Sequence, residues 1–221
     1  MSDLFCPVTV LAVRHAEAEY DGTTLPGVPD GGTISDLGRQ QVATLAMRLH
    51  GRRVAAVATS PYSRARDTAE LLASALGVPL EVDDDLRELD AGDLTAMPHG
   101  EGIAQVDEVF GRWLHGDLAA SCPGGETGAH LVTRVRRALE GLADRFRGEV
   151  VVVVSHGGAL TLALPTICGQ SARELSARPL DNAAVVELEG DADGWRLLAW
   201  PGGMAPEGPT ADAMTPEASS G

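Results

Sequence analysis

The sequence predicts an α/β protein, a three-layer α/β/α sandwich around a mostly parallel mixed sheet. Three observations carry that prediction. Short apolar runs alternate with segments of helical periodicity, the pattern that builds parallel sheets covered on both faces. Three of these runs, over residues 10–13, 54–59 and 150–154, have the length of buried strands and fall far short of a membrane span. Each ends abruptly in polar residues: Arg14-His15, then Ser60-Pro61 with Arg64 just beyond, then Ser155-His156-Gly157-Gly158. Open α/β sheets bind ligands in the crevice outside the carboxyl ends of their strands. Three strand ends therefore deliver two arginines and two histidines to one place.

The elements follow in order. Residues 9–13 are the first strand, and 16–34, rich in Gly, Pro, Asp and Thr, read as a loop. Ser35 or Asp36 caps a helix that runs to about His50, with Leu37, Gln41, Leu45 and Leu49 at helical spacing. Residues 54–59 are the second strand. Ser60-Pro61 opens a helix that continues through Ala75 and that Gly77 closes. Residues 80–82 are a short strand, and Asp83-Asp84-Asp85 is a solvated turn. The least regular part is 89–125, with a helix around 103–115 between two loops. A long helix follows from about Gly128 to Arg147, its Arg134, Arg136 and Arg137 on a solvated face that offsets nearby acids. Residues 150–155 are the fourth strand, and 158–168 form a helix directly after His156. Residues 185–188 and 196–200 make a final pair across the turn 190–194, adding an antiparallel edge. From Pro201 the chain has no periodicity and reads as a disordered tail. The organisation is one domain over 1–200, with a cap insert at about 89–125, and a tail over 201–221.

Composition narrows the function. The chain of 221 residues is long enough for one domain with a sizeable core. It is 44% hydrophobic but only 4% aromatic, so that core rests on Val, Leu and Ala. A formal charge of −15 speaks against nucleic acid or an anionic membrane surface as partner. It also means that a local basic pocket must draw in any anionic substrate against the overall field. Cys6, Cys122 and Cys168 fit neither a metal spacing nor a disulfide framework. No basic-then-apolar segment opens the chain as a signal peptide would, so a reducing cytoplasm is the expected compartment. A homodimer through sheet or helix edges is compatible with the sequence, which does not demand it.

The residues at the strand ends suit one chemistry. Two guanidinium groups clamp a phosphoryl group with paired hydrogen bonds and stay charged at any working pH. Neutral imidazole is a nucleophile toward phosphorus, and a second, protonated imidazole would steady the same oxygens. The amides of Gly157 and Gly158, opening a helix, add to that hold. An acid for the leaving oxygen is still needed. Glu88, Asp90 and Glu17 are the candidates, and a partly buried carboxyl with raised proton affinity would serve.

These residues also stand in a recognisable pattern. Arg14-His15-Ala16-Glu17 resembles the RHG[EQ] signature of the histidine phosphatase superfamily, the phosphoglycerate-mutase-like fold. The segment from Ile34 to Gln41 is similar to that family's LSxxGxxQ, and that from Ser60 to Ala69 to its SxxxRAxQTA helix. Leu86-Arg87-Glu88-Leu89-Asp90-Ala91-Gly92 resembles LxExxxG, while Pro123-Gly124-Gly125-Glu126 and Ser155-His156-Gly157-Gly158 resemble PGGES and SHGG. The six segments come in the family's order across roughly residues 9–200. The resemblance implies that His15 is the nucleophile that becomes phosphohistidine. Arg14, Arg64, His156 and Gly157 would hold the phosphoryl group, with His156 also counted catalytic. Glu88 would protonate the leaving alcohol and then deprotonate water. No metal or other cofactor is implied, because the arginines supply the charge.

The sequence departs from the pattern at Ala16, where the family has Gly, and at Asp21, where many members have a phosphate-binding Asn. Asp93-Leu94-Thr95 replaces the family's WEG segment. The function expected is a metal-independent phosphatase of a small-molecule phosphate monoester. The phosphohistidine phosphatases share the RHA variant but almost lack the insert, which speaks for a small substrate in a covered pocket. A phosphoglycerate-type mutase is the alternative, although its longer Trp- and Asn-bearing segment after RHGE is missing. A non-catalytic phosphate-binding protein is the third reading; loss of His15, His156, Arg14 or Arg64 would favour it, and all four are present. Trp113 reads as a cap or core aromatic.

Overall fold

The computed structural model describes residues 6–20, 31–97 and 99–204. Its elements are β1 (Val8–Arg14), β2 (Ala18–Glu19), β3 (Thr33–Ile34), α1 (Asp36–Leu49), β4 (Val54–Thr59), α2 (Ser63–Leu76) and β5 (Leu80–Val82). Then come α3 (His99–Leu114), α4 (Gly128–Arg145), β6 (Val150–Ser155), α5 (Gly157–Ile167) and α6 (Ala172–Ser176). The last are β7 (Val185–Asp191), β8 (Gly194–Trp200) and β9 (Gly203–Met204). Short 3-10 turns at Asp84–Leu86 and Gly92–Ala96 precede α3.

The main sheet runs β5-β4-β6-β1-β7-β8-β9. Its first four strands are parallel, and the last three add an antiparallel edge. The fold is thus the α/β sandwich that the alternating pattern predicts. Side chains on a strand alternate between faces, and the valine runs obey this. Val10, Ala12, Val151 and Val153 pack into one core with Leu131, Leu139 and Leu142 of α4 and Leu160 of α5. Leu11, Val13, Val152 and Val154 pack into the other, with Val42 and Leu45 of α1 and Leu72 of α2. Burial on both faces is why these strands read as unbroken apolar runs.

Register matters most for function. Arg14 pairs with Ser155, and Thr59 pairs with Val154. The parallel strands β6 and β1 therefore finish level and β4 one residue earlier, with Ser60, His156 and His15 next along their chains.

Several boundaries differ from the sequence reading. Residues 16–34 are not all loop, since β2 pairs with β3. The buried stripe of α1 is Gly38, Val42, Leu45 and Leu49, while Leu37 is 54% exposed. The stripe turns because α1 lies against the Glu17 carbonyl at Gly38, as Ser35 caps the helix by accepting from the Gly38 amide. Ser60-Pro61 stays outside α2, which starts at Ser63 after Tyr62. The cap helix α3 starts at His99, earlier than expected. The sheet continues past residue 200, because Ala199 and Trp200 pair with β9. Asp21 and the expected tail from 205 onward lie outside the described residues. Among the described residues no helix is long and apolar enough to cross a membrane.

Two glycines in helices should respond in opposite ways. A Cβ at Gly38 would stand 2.2 Å from the Glu17 carbonyl oxygen, whereas one at Gly141 in α4 meets nothing within 4 Å. Gly38→Ala is expected to lose about 2–4 kcal/mol of stability, and Gly141→Ala to gain about 0.5–1 kcal/mol from helix propensity. Urea unfolding of the two variants checks this.

Candidate active site

The backbone around His15 is clamped from several sides. Its amide donates to the Ser155 carbonyl at 2.8 Å, and its carbonyl accepts from Nδ2 of Asn182 at 2.9 Å. The Ala183 amide donates to the Arg14 carbonyl at 3.0 Å. The Ala16 amide donates to the Thr68 hydroxyl at 3.0 Å, which donates in turn to the Arg64 carbonyl at 2.7 Å. Thr68 therefore locks the strand end to α2.

These contacts also fix the ring. His15 Nδ1 lies 2.8 Å from the Ala16 carbonyl oxygen. A carbonyl only accepts, so Nδ1 carries the proton. Nε2 then holds the lone pair, and it accepts from Nε of Arg64 at 3.3 Å. Burial pushes the His15 pKa down from 6.5 to about 3; the Ala16 hydrogen bond opposes this, and Arg64 and Arg14 add to it. The imidazole is neutral at physiological pH, with its lone-pair nitrogen toward Arg64.

Arg64, 1% exposed, comes from the first turn of α2. Nη1 of Arg14 donates to the Leu180 carbonyl at 2.6 Å, and Arg14 Nε is buried without a hydrogen-bond partner. Gly157 allows that guanidinium to lie close, since a Cβ there would be 3.3 Å from Arg14 Nε. His156 is fully buried, its ring 5.3 Å from that of His15 and 5.2 Å from that of Tyr62. Its Nε2 hydrogen-bonds the Ser60 hydroxyl at 2.8 Å, and its Nδ1 has no partner. Burial, then the charge of Arg64, holds His156 well below the ordinary histidine range. The second imidazole is therefore neutral in the protein by itself, not protonated as the sequence reading has it. Two buried nitrogens without partners are costly where nothing answers them, and both flank His15.

Glu88 follows the 3-10 turn after β5. Its Oε1 accepts from the amides of Leu89 at 3.0 Å and Ala159 at 2.7 Å, and its Oε2 accepts from that of Gly158 at 3.2 Å. The start of α5 thus holds a carboxylate of the protein, and the Gly158 amide, expected to hold phosphate, is taken. A Cβ at Gly158 would stand 2.9 Å from Glu88 Oε1, so glycine leaves room for the carboxylate where it lies. The other two acids are engaged elsewhere. Asp90 accepts from the Gly92 amide, and Glu17 accepts from the Ser35 hydroxyl. Glu88 lines the cavity, and neither of them does.

Arg134 holds Glu88 in place, a role that the sequence reading missed. It is 4% exposed and not on a solvated face. Its Nη1 donates to the carbonyls of Asp85 at 2.8 Å and Arg87 at 2.7 Å. Its Nη2 donates to the Glu88 carbonyl at 3.0 Å and to Glu126 at 2.7 Å, and its Nε to Glu126 at 3.0 Å. Glu126 also accepts from the Asp90 amide at 2.9 Å. Nearby, Gly92 and Gly125 mesh two loops: a Cβ at Gly92 (φ +55°) would lie 2.2 Å from the Gly125 nitrogen. Of the segment that replaces the family's WEG, Leu94 packs with Ala91 and Cys122. Trp113, near the end of α3, is 2% exposed and donates to the Ala120 carbonyl at 2.8 Å, tying the helix to the loop that follows it.

A cavity of about 650 Å³ opens over these groups, with Arg14, His15, Arg64, Glu88 and Gly157 in its lining and α3 along one wall. His156 sits behind that lining. Among the described residues, no three His, Cys, Asp or Glu side chains gather as metal ligands do.

Two predictions follow from this geometry. Arg134→Lys keeps the charge but loses the fork, and should cost about 2–3 kcal/mol of unfolding free energy. Arg136→Lys on the same helix should change stability by less than about 0.5 kcal/mol. The second concerns pH. Between 6.5 and about 3 the unfolded chain takes up a proton at His15 that the folded chain refuses. Stability should therefore fall as pH drops from 6.5, by about 1.4 kcal/mol per pH unit for each such group. His156 acts in the same direction. Urea unfolding between pH 6.5 and 4.5 should show a shallower decline for His15→Asn than for the wild type.

Comparison with known proteins agrees with the geometry. The sequence model of the histidine phosphatase superfamily (branch 1) matches residues 10–201. A bifunctional protein of Mycobacterium tuberculosis is 33% identical over 195 residues, 85% of this chain and 52% of that protein. The chain thus spans about half the length of that relative. A probable phosphoglycerate mutase of Escherichia coli is 29% identical, covering 86% of this chain and 89% of its own length. Among solved structures, a mycobacterial glucosyl-3-phosphoglycerate phosphatase superposes with a TM-score of 0.72 at 27% identity, over 88% of this chain and 98% of that one. With the family match spanning nearly the whole described chain, this protein belongs to the histidine phosphatase superfamily.

Proposed function

We propose that this protein hydrolyses small-molecule phosphate monoesters through a covalent phosphohistidine on Nε2 of His15. A glucosyl-3-phosphoglycerate phosphatase and a probable phosphoglycerate mutase among its relatives support phosphatase- or mutase-type chemistry; the hydrolysis, the route and the class of substrate are the reading offered here. The observation that carries it is the tautomer of His15. With Nδ1–H held by the Ala16 carbonyl, the lone pair of Nε2 is left beside Arg64 in the cavity lining.

In the first step Nε2 attacks phosphorus and the bond to the ester oxygen breaks. Arg14 and Arg64 neutralise the phosphoryl oxygens, and the partnerless Nε of Arg14 supports that role. Burial first and the Arg64 charge second keep His156 neutral; a bound dianion beside the ring acts against both, so it favours a proton on His156. Glu88 gives the leaving oxygen its proton. Oε2, with a single 3.2 Å hydrogen bond, is the oxygen best placed to carry it. In the second step Glu88 takes a proton from water, whose oxygen attacks phosphorus. The P–N bond breaks and its electron pair returns to Nε2. The two arginines supply positive charge that a metal supplies in other phosphoryl-transfer sites.

Hydrolysis of p-nitrophenyl phosphate in EDTA tests this reading. Turnover should survive the chelator and fall by at least about a thousandfold in His15→Ala. Glu88→Gln should slow an alkyl phosphate by about a hundredfold or more and the activated aryl ester far less. Equal effects on both esters would remove Glu88 as the acid. Transfer of phosphate between hydroxyls without release of inorganic phosphate would favour a mutase.

A further inference from the structure

The positive charge in the cavity lining lies at one end. Along its wall Ile103, Val106, Phe110 and Leu114 recur on one face of α3, joined by Leu89 and Leu180. The arginines in the lining are Arg14 and Arg64, and both belong to the His15 end. Asp107, on the same face of α3, is the acid in the lining besides Glu88. The residues outside the described set contain no arginine or lysine, so none of them can add such a cation.

We propose that this wall binds the alcohol half of the substrate and selects a phosphate monoester with an apolar, aryl or branched-alkyl body and no carboxylate. The proposal rests on the phosphatase reading above. An apolar body removes its own surface and that of the α3 stripe from water. A substrate carboxylate would lose hydration in the same place, face Asp107, and find no cation beyond the two that hold the phosphoryl group. The chain's overall charge of −15 adds to that penalty. A phosphoglycerate is therefore a poor fit, and the wall speaks for hydrolysis of a neutral ester over a mutase reaction.

Three unactivated primary-alkyl esters test this: 2-phenylethyl phosphate, glycerol 3-phosphate and 3-phosphoglycerate. The kcat/KM of the phenylethyl ester should exceed that of glycerol 3-phosphate by about tenfold or more, with 3-phosphoglycerate the slowest. Phe110→Ala should collapse the first ratio toward one. Asp107 is exposed, so Asp107→Arg should leave the fold intact and raise kcat/KM for 3-phosphoglycerate by about tenfold. Equal or faster turnover of 3-phosphoglycerate by the wild type overturns the inference while hydrolysis itself stands. If the wild type leaves even p-nitrophenyl phosphate intact, the phosphatase reading fails separately. Calorimetry with 3-phenylpropylphosphonate and 3-phosphonopropionate then decides on the wall alone: tighter binding of the phenyl compound supports it, and tighter binding of the carboxylate overturns it.

Discussion

The parallel pairing of β1 with β6 is the constraint on which the site depends. Arg14 lies opposite Ser155, so the two strands stop at the same level and each releases a histidine there. The amide of His15 is still held by the Ser155 carbonyl one step beyond the pairing. A slip of one residue would reverse the faces of the valines as well as move the histidines. The two cores thus enforce the register, and the register places the chemistry. Neither His15 nor His156 is positioned by a flexible loop.

The site carries an electrostatic burden that those cores offset. His15 and Arg64 are almost wholly buried, and His156 wholly. Burial first, and the nearby guanidinium groups after it, keep both imidazoles neutral, which leaves a lone pair free at Nε2 of His15 and opposes stability in acid. The buried nitrogens of Arg14 and His156 that lack partners belong to the same balance. Such an arrangement persists only where the surrounding packing overdetermines it. Thr68, Asn182 and Arg134 provide that rigidity through hydrogen bonds to backbone, without touching the cavity.

Much of this was legible in the sequence, and the parts that were not share a cause. Apolar runs that end in charged residues are visible because burial on both faces leaves an unbroken hydrophobic stretch. Arg14, His15, Arg64 and Glu88 could be picked out because each follows such a stretch or sits in a dense motif, and the structure gathers all four in one lining. Arg134 was misread because its partners are mostly main-chain carbonyls, which have no sequence signature. Its one legible clue was Glu126 in the Pro-Gly-Gly-Glu segment, eight positions earlier on the way into α4. The Gly158 amide was assigned to phosphate because a helix start attracts any anion; spacing cannot say that Glu88 arrives there first. The turn of the α1 stripe and the β2–β3 pair were hidden likewise, since both depend on backbone contact at Gly38 and Glu17.

The meshing of Gly92 with Gly125 has a consequence for how this fold can diversify. The Asp93 amide donates to the Pro123 carbonyl at 2.8 Å, so the chain leaves for the cap and returns from it through the same small knot. Everything between is a detour whose two ends are already tied, and Arg134 and Glu126 keep that knot in line with Glu88. A replacement detour of another length or polarity would meet the same fixed anchor. On the proposed reading, the wall that meets the alcohol half of the substrate is therefore a replaceable module on a frame that need not change when the module does.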